Sequence, residues 1–134
     1  MNKKKAFTLV ELLVVIAIIG LLATLSVLSL NNARAKARDA KRVADVKQIM
    51  TALELYFNDS QQYTTTVTPG GSIASGSSIY MNMVPTPPTP PTAISEYTYQ
   101  ATSSNASYTL QYFLEGNVGS ITAGLHTASP VSLY

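Results

Sequence analysis

The sequence predicts an α+β protein. One long N-terminal α-helix, transmembrane in its first half and amphipathic in its second, packs on a small antiparallel β-sheet. Three observations carry this. Apart from a basic head and Glu11, the first 30 residues carry no charge, are mostly apolar, and contain no Pro. A stripe of apolar residues at helical spacing follows, as far as Phe57. The last third contains short alternating runs rich in Tyr and Thr, which suit strands. With 134 residues, the chain has room for about one domain.

The apolar helix comes first. Lys3, Lys4 and Lys5 precede a run in which no residue from Leu12 to Leu30 is charged. As a helix that run measures roughly 28 Å, close to the ~30 Å hydrocarbon core of a bilayer. A chain this short has too little other material to wrap a helix that is apolar on every side. The run also exceeds the apolar core of a cleaved secretory signal, about 7–15 residues. Glu11 is the exception, because a carboxylate in an apolar helix is costly unless it is neutralised or paired. It either stays wet near the interface or finds a specific cationic partner.

The amphipathic half spans residues 31–59. Val43, Val46, Met50, Leu53 and Phe57 recur at spacings of three and four, one face of a helix, and are expected to pack on the head. Ile49 and Tyr56 widen that stripe, and Ala33, Ala37 and Ala40 extend it backwards. Lys41 and Asp45 form an attractive i,i+4 pair. The Arg/Lys run is expected to be a solvated face or to meet lipid headgroups. Asn58-Asp59-Ser60 supplies stop and turn chemistry, so one helix from about Phe7 to Asn58 would reach roughly 75–80 Å.

The head spans residues 60–134. It opens with a Ser/Thr/Gly-rich stretch expected to be an irregular loop. A run of Pro and Thr from Pro85 to Thr92 favours extended polyproline geometry, a stiff spacer rather than a recognition ligand. Strands are expected at 97–101 and 108–114, joined through Ser103-Ser104-Asn105-Ala106, with a third, weaker one between Val118 and Leu125. A sheet of about three strands would cover the Val43–Phe57 stripe in two layers.

Composition limits the chemistry. The chain has no Cys and one His, which removes disulfides, thiolate metal sites and Cys nucleophiles. No catalytic constellation, cofactor box or metal-ligand cluster stands out, and the chain reads as a non-enzyme. The formal net charge is +2, but every cation lies between Lys3 and Lys47. Beyond Lys47 the only charges are Glu54, Asp59, Glu96 and Glu115. No direct nucleic-acid site is evident, because phosphate recognition needs cations on the face that meets it.

The stretch Lys3-Lys4-Lys5-Ala6-Phe7-Thr8-Leu9-Val10-Glu11 resembles the class III leader of type IV pilins and type II secretion pseudopilins. The resemblance covers about the first 65 residues, closing on Leu53–Thr64. It implies the type IV pilin fold, with residues 1–6 as a leader and 7–30 as a transmembrane and filament-core helix. It implies cleavage by a prepilin peptidase between Ala6 and Phe7, N-methylation of Phe7, and filament assembly through Glu11 and the Phe7 amine of a neighbour. Gly20 matches a helix-flexibility position of the family. Ala6 stands where the family prefers Gly before the cut, and Leu28 stands at the usual Pro. The partners implied are further copies of the chain, the prepilin peptidase, an inner-membrane assembly platform with its ATPase, and membrane lipid before assembly. The implied location is the cytoplasmic membrane first and a cell-surface filament, or fimbrium, afterwards. A plain positive-inside count would put the C-terminus in the cytoplasm. The leader puts it outside, and its motif is the more specific signal. A type II secretion pseudopilin, or a single-pass anchor holding a small binding domain, are the alternatives. Some pseudopilins bind calcium in their C-terminal loops, but the acidic ligands such a site needs are missing here.

Overall fold

The computed structural model of the protein describes residues 7–90, 96–102 and 104–133. Helix α1 spans Leu9–Ser60. It contributes to two compact units, Met1–Arg34 and Ala35–Tyr134.

In the first unit every described residue, from Phe7 to Arg34, is exposed. Among the described residues α1 is the one helix long and apolar enough to cross a membrane. Its few hydroxyls turn back on the helix: Thr24 Oγ1 donates to the Leu21 carbonyl at 2.7 Å and Ser26 Oγ to the Leu22 carbonyl at 2.8 Å. That satisfies polar atoms without water, as a bilayer interior requires.

In the second unit α1 buries Val43, Val46, Ile49, Ala52 and Leu53. Met50 and Phe57 are half-buried beside them. The buried face does not continue through Ala33, Ala37 and Ala40, which are all exposed. It continues instead through Arg42 and Asp39. The helix stops where Gln61 takes a positive φ of 57° and the Ser60 hydroxyl caps the Tyr56 carbonyl at 2.6 Å.

The stretch after the helix is more ordered than an irregular loop. Strands β1 (Ile73–Ser75) and β2 (Ser78–Met81) form an antiparallel hairpin. Gly76 makes the turn with φ 58°, a conformation glycine adopts without steric cost. Strands β3 (Thr98–Ala101), β4 (Tyr108–Leu114) and β5 (Gly124–Ala128) form an antiparallel sheet in the order β3-β4-β5. The third strand thus begins six residues later than Val118. Between Val118 and Ile121 there is a single bridge, and Gly124, at φ 124°, leads into β5.

Strand β4 alternates strictly: Tyr108, Leu110, Tyr112 and Leu114 point inward and are fully buried. They meet the helix stripe in one core with Tyr63, Ile73, Val84, Tyr97 and Ala128. A run of rings knits the base of the helix to the sheet. Phe57 stacks on Tyr63 at 4.6 Å, Tyr63 meets Tyr108 edge-on at 4.8 Å, and Tyr108 stacks on Tyr99 at 5.7 Å. These spacings lie in the favourable range for aromatic pairs.

Candidate functional site

Thr8 and Glu11 build the start of α1. The Thr8 backbone N–H donates to Glu11 Oε2 at 2.8 Å, and the Thr8 hydroxyl donates to the same oxygen at 2.9 Å. The Glu11 N–H in turn donates to Thr8 Oγ1 at 3.2 Å. This is a capping box: two helix-end donors and a carboxylate satisfy one another. It holds the carboxylate against the first turn, where the helix dipole favours negative charge. Oε1 accepts no hydrogen bond among the described residues, and Glu11 makes no ion pair among them. The box fixes the carboxylate's position while leaving half of it open to a cation. Phe7, two residues before the helix, is 83% exposed. Ala6 and the Lys3–Lys5 head lie outside the described residues. Gly20 sits within α1, and a Cβ there would meet nothing within 4 Å.

Sequence reasoning reached Glu11 and missed Thr8. The signal was present: Thr-x-x-Glu ahead of an apolar run is a capping signature.

The second constellation is electrostatic and lies within the head. Arg42 is buried, 3% exposed, as is Asp39 at 1%. The Arg42 guanidinium donates to Asp39 Oδ1 at 2.6 Å, Glu115 Oε1 at 2.7 Å, the Pro88 carbonyl at 2.7 Å and the Pro90 carbonyl at 2.5 Å. Arg38 grips Glu115 with both arms of its fork, at 2.7 and 2.6 Å. Asp39 also accepts the backbone N–H groups of Glu115 at 2.9 Å and Gly116 at 2.7 Å. Beside it, Asp45 accepts from Lys41 at 2.7 Å and from the Tyr97 hydroxyl at 3.0 Å.

This corrects the expectation of a solvated Arg/Lys face at two positions, Arg38 and Arg42, while Arg34, Lys36, Lys41 and Lys47 are exposed as expected. Arg38 and Arg42 point into their own head, since a buried charge is tolerable only when paired and fully hydrogen-bonded. The two arginines hold the Glu115 carboxyl down to about 2, Arg38's hydrogen bond being the larger cause. Burial, reinforced by Asp45, pushes the Tyr97 hydroxyl up. Arg42 also pins the Pro/Thr run through two carbonyls, which accords with a spacer laid on the surface.

Among the described residues no group of three or more acidic or His side chains is placed to hold a metal ion. Asp39 and Glu115 converge, but on Arg42. His126 Nε2 lies 2.7 Å from the Thr122 carbonyl, and its ring faces Tyr112 at 5.5 Å.

An exposed apolar helix with a capped carboxylate at its head, leading into a small antiparallel head, is a pilin-like arrangement. Residues 1–27 match the model of the prokaryotic N-terminal methylation motif. The type II secretion system core protein G of Escherichia coli K12 is 43% identical over 65 residues, 48% of this chain and 45% of that protein. Core protein G of Aeromonas hydrophila is 41% identical over 65 residues, 48% and 46% of the two chains. A fimbrial protein of Pseudomonas aeruginosa is 32% identical over 69 residues, 52% and 45%. The chain therefore carries the methylation motif and shares homology with both type II secretion system core proteins G and a fimbrial protein. It spans about half the length of the curated relatives it matches. No solved structure matches it.

Proposed function

We propose that the chain is a structural subunit of a type IV pilus or pilus-like filament, stored in the cytoplasmic membrane and polymerised through its N-terminal helix. The observation that carries this is the half-open Glu11 carboxylate, fixed by Thr8 at the head of a helix whose apolar run from Leu9 to Leu30 is exposed throughout. Such a surface needs lipid first and other subunits afterwards. Prepilin peptidase cuts between Ala6 and Phe7, and the new amine on Phe7 is methylated. That amine, cationic with a reference pKa near 8, meets Glu11 of a neighbouring copy in the low-dielectric filament core. Each charge is otherwise unpaired there, so correct docking removes two desolvation penalties at once. Gly20 gives the apolar helix a weak point, because Gly costs a helix about 1 kcal/mol relative to Ala. The work of the subunit is mechanical, and an assembly platform with its ATPase supplies the drive.

A second reading has its own support. The similarity to two secretion core proteins G favours a short secretion pseudopilus over a long surface fibre.

Both readings require the same carboxylate. Glu11→Ala is expected to leave a stable, membrane-held, processed subunit that does not enter filaments. Intact mass spectrometry should find both forms beginning at methylated Phe7, and shear should release filaments from the parent alone. Filaments from the variant at parental yield, or a parent that retains Met1, would overturn the reading.

A further inference from the structure

Among the described residues of Ala35–Tyr134 the ion pairs leave five charges over: Glu96, outside any helix or strand, and four on the helix. Lys36, Lys47, Glu54 and Asp59 all lie on α1, all are exposed, and none forms an ion pair among the described residues. Glu54 and Asp59 meet only neutral donors, the Tyr63 hydroxyl at 2.9 Å and the Tyr80 hydroxyl at 2.7 Å. Their charge is hydrogen-bonded but not neutralised. The four are also sorted along the axis: cations first, anions in the closing turns.

That sorting selects a geometry for self-association. Two parallel copies side by side without a shift would set Lys36 beside Lys36 and Glu54 beside Glu54. Like charges placed together suppress such a docking. An antiparallel pair would separate the charges, but helices that leave one membrane run the same way. A parallel pair with an axial shift is the remaining solution. At 1.5 Å per residue, roughly 27 Å of helix separates Lys36 from Glu54.

We propose that the solvent-facing side of α1 docks against a second, parallel copy of this chain displaced by roughly 27 Å along the helix, with Lys36 of one copy beside Glu54 of the other. This rests on the filament reading and adds a register to it. Access favours Lys36 over Lys47. One turn either side of Lys36 the exposed neighbours are Asn32, Ala33 and Ala40, short side chains that let another helix come close. Lys47 lines two grooves against its own head, one with Tyr80 and Met81 and the other with Leu133. Exposed ion pairs contribute little each, so the charges choose the register while apolar burial supplies the cohesion. Repetition at every subunit makes the choice cumulative.

The chain has no cysteine, so the register can be read by cross-linking. Lys36→Cys and Glu54→Cys in one chain cannot bridge within it, because a disulfide needs Cα atoms within about 7 Å and the two positions lie roughly 27 Å apart on one helix. Filaments of the double-Cys chain, treated with a mild oxidant, should give a ladder of dimers, trimers and higher species on a non-reducing gel. Either Cys alone should give none. Charge exchange is the second measurement. Lys36→Glu and Glu54→Lys should each cut filament yield several-fold, and the two together should restore it, because every contact then regains opposite signs. Filaments that form normally without a ladder, dimers from Lys36→Cys alone, or a double exchange no better than the singles would overturn the register while leaving the filament reading intact. A parent chain that makes no filaments would overturn the filament reading, and the register with it.

Discussion

At the scale of single residues, the head turns on Arg42. Its planar fork reaches four oxygens, two from carboxylates and two from the backbone of the Pro/Thr run. The four acceptors come from three parts of the chain, so one side chain sets the relative position of the helix, the end of β4 and the spacer. Arg42→Met keeps the length and removes the charge. Asp39 would then be left buried with only the N–H groups of Glu115 and Gly116. Breaking a buried pair from one side costs about 3–5 kcal/mol, and urea unfolding should record a loss of that order. Arg42→Lys should recover only part of it, because a compact ammonium cannot span a planar set of acceptors. A Met variant within about 1 kcal/mol of the parent would mean that the network is dispensable.

At the scale of elements, the same charges tie α1 to the end of β4 through Glu115. Its carboxyl is held down to about 2, against 4.5 for the free group. A lowered folded pKa means that the unfolded chain binds the proton more readily. The stabilisation is therefore complete above about 4.5 and is lost as pH falls through about 2. Unfolding midpoints taken at steps between pH 5 and 2 should fall across that window, and Glu115→Gln should flatten the fall. An unchanged slope in the variant would assign the acid sensitivity to other carboxylates. No sequence pattern could announce this tie. Arg38 and Glu115 lie 77 positions apart, and periodicity reports only neighbours on one helix or strand. Val46 and Leu53 were legible because their burial follows from spacing, and β4 because Tyr108-Thr109-Leu110-Gln111-Tyr112 alternates. The β1–β2 hairpin was not, because its strands are three and four residues long and share the Ser/Gly composition of loops. Lys41–Asp45 was visible as a local pair. Arg42 looked like a member of a solvated run because three of its four acceptors, on Glu115, Pro88 and Pro90, come from segments that fold over it.

At the scale of the whole molecule, the chain divides by the kind of surface it buries. No described residue of the first unit, Met1–Arg34, contributes to the core, which begins at Val43, and among the described residues the ion pairs begin at Arg38. The first unit exposes its apolar side chains from Phe7 to Leu30. The second meets its needs from within. Residues 35–134 should therefore fold alone. Most helical stability in proteins comes from packing an amphipathic face rather than from propensity, so the fragment's helicity should come from burying Val43, Val46, Ile49 and Leu53 against the sheet. The fragment lacks the exposed apolar run, which is the strongest aggregation hazard in the chain. It should be soluble and monomeric, with one cooperative transition seen alike by far-UV and near-UV circular dichroism. Arg42→Met should destabilise it as much as it destabilises the full chain in detergent. A fragment with helix but no near-UV signal would mean that the head depends on the first unit for its packing.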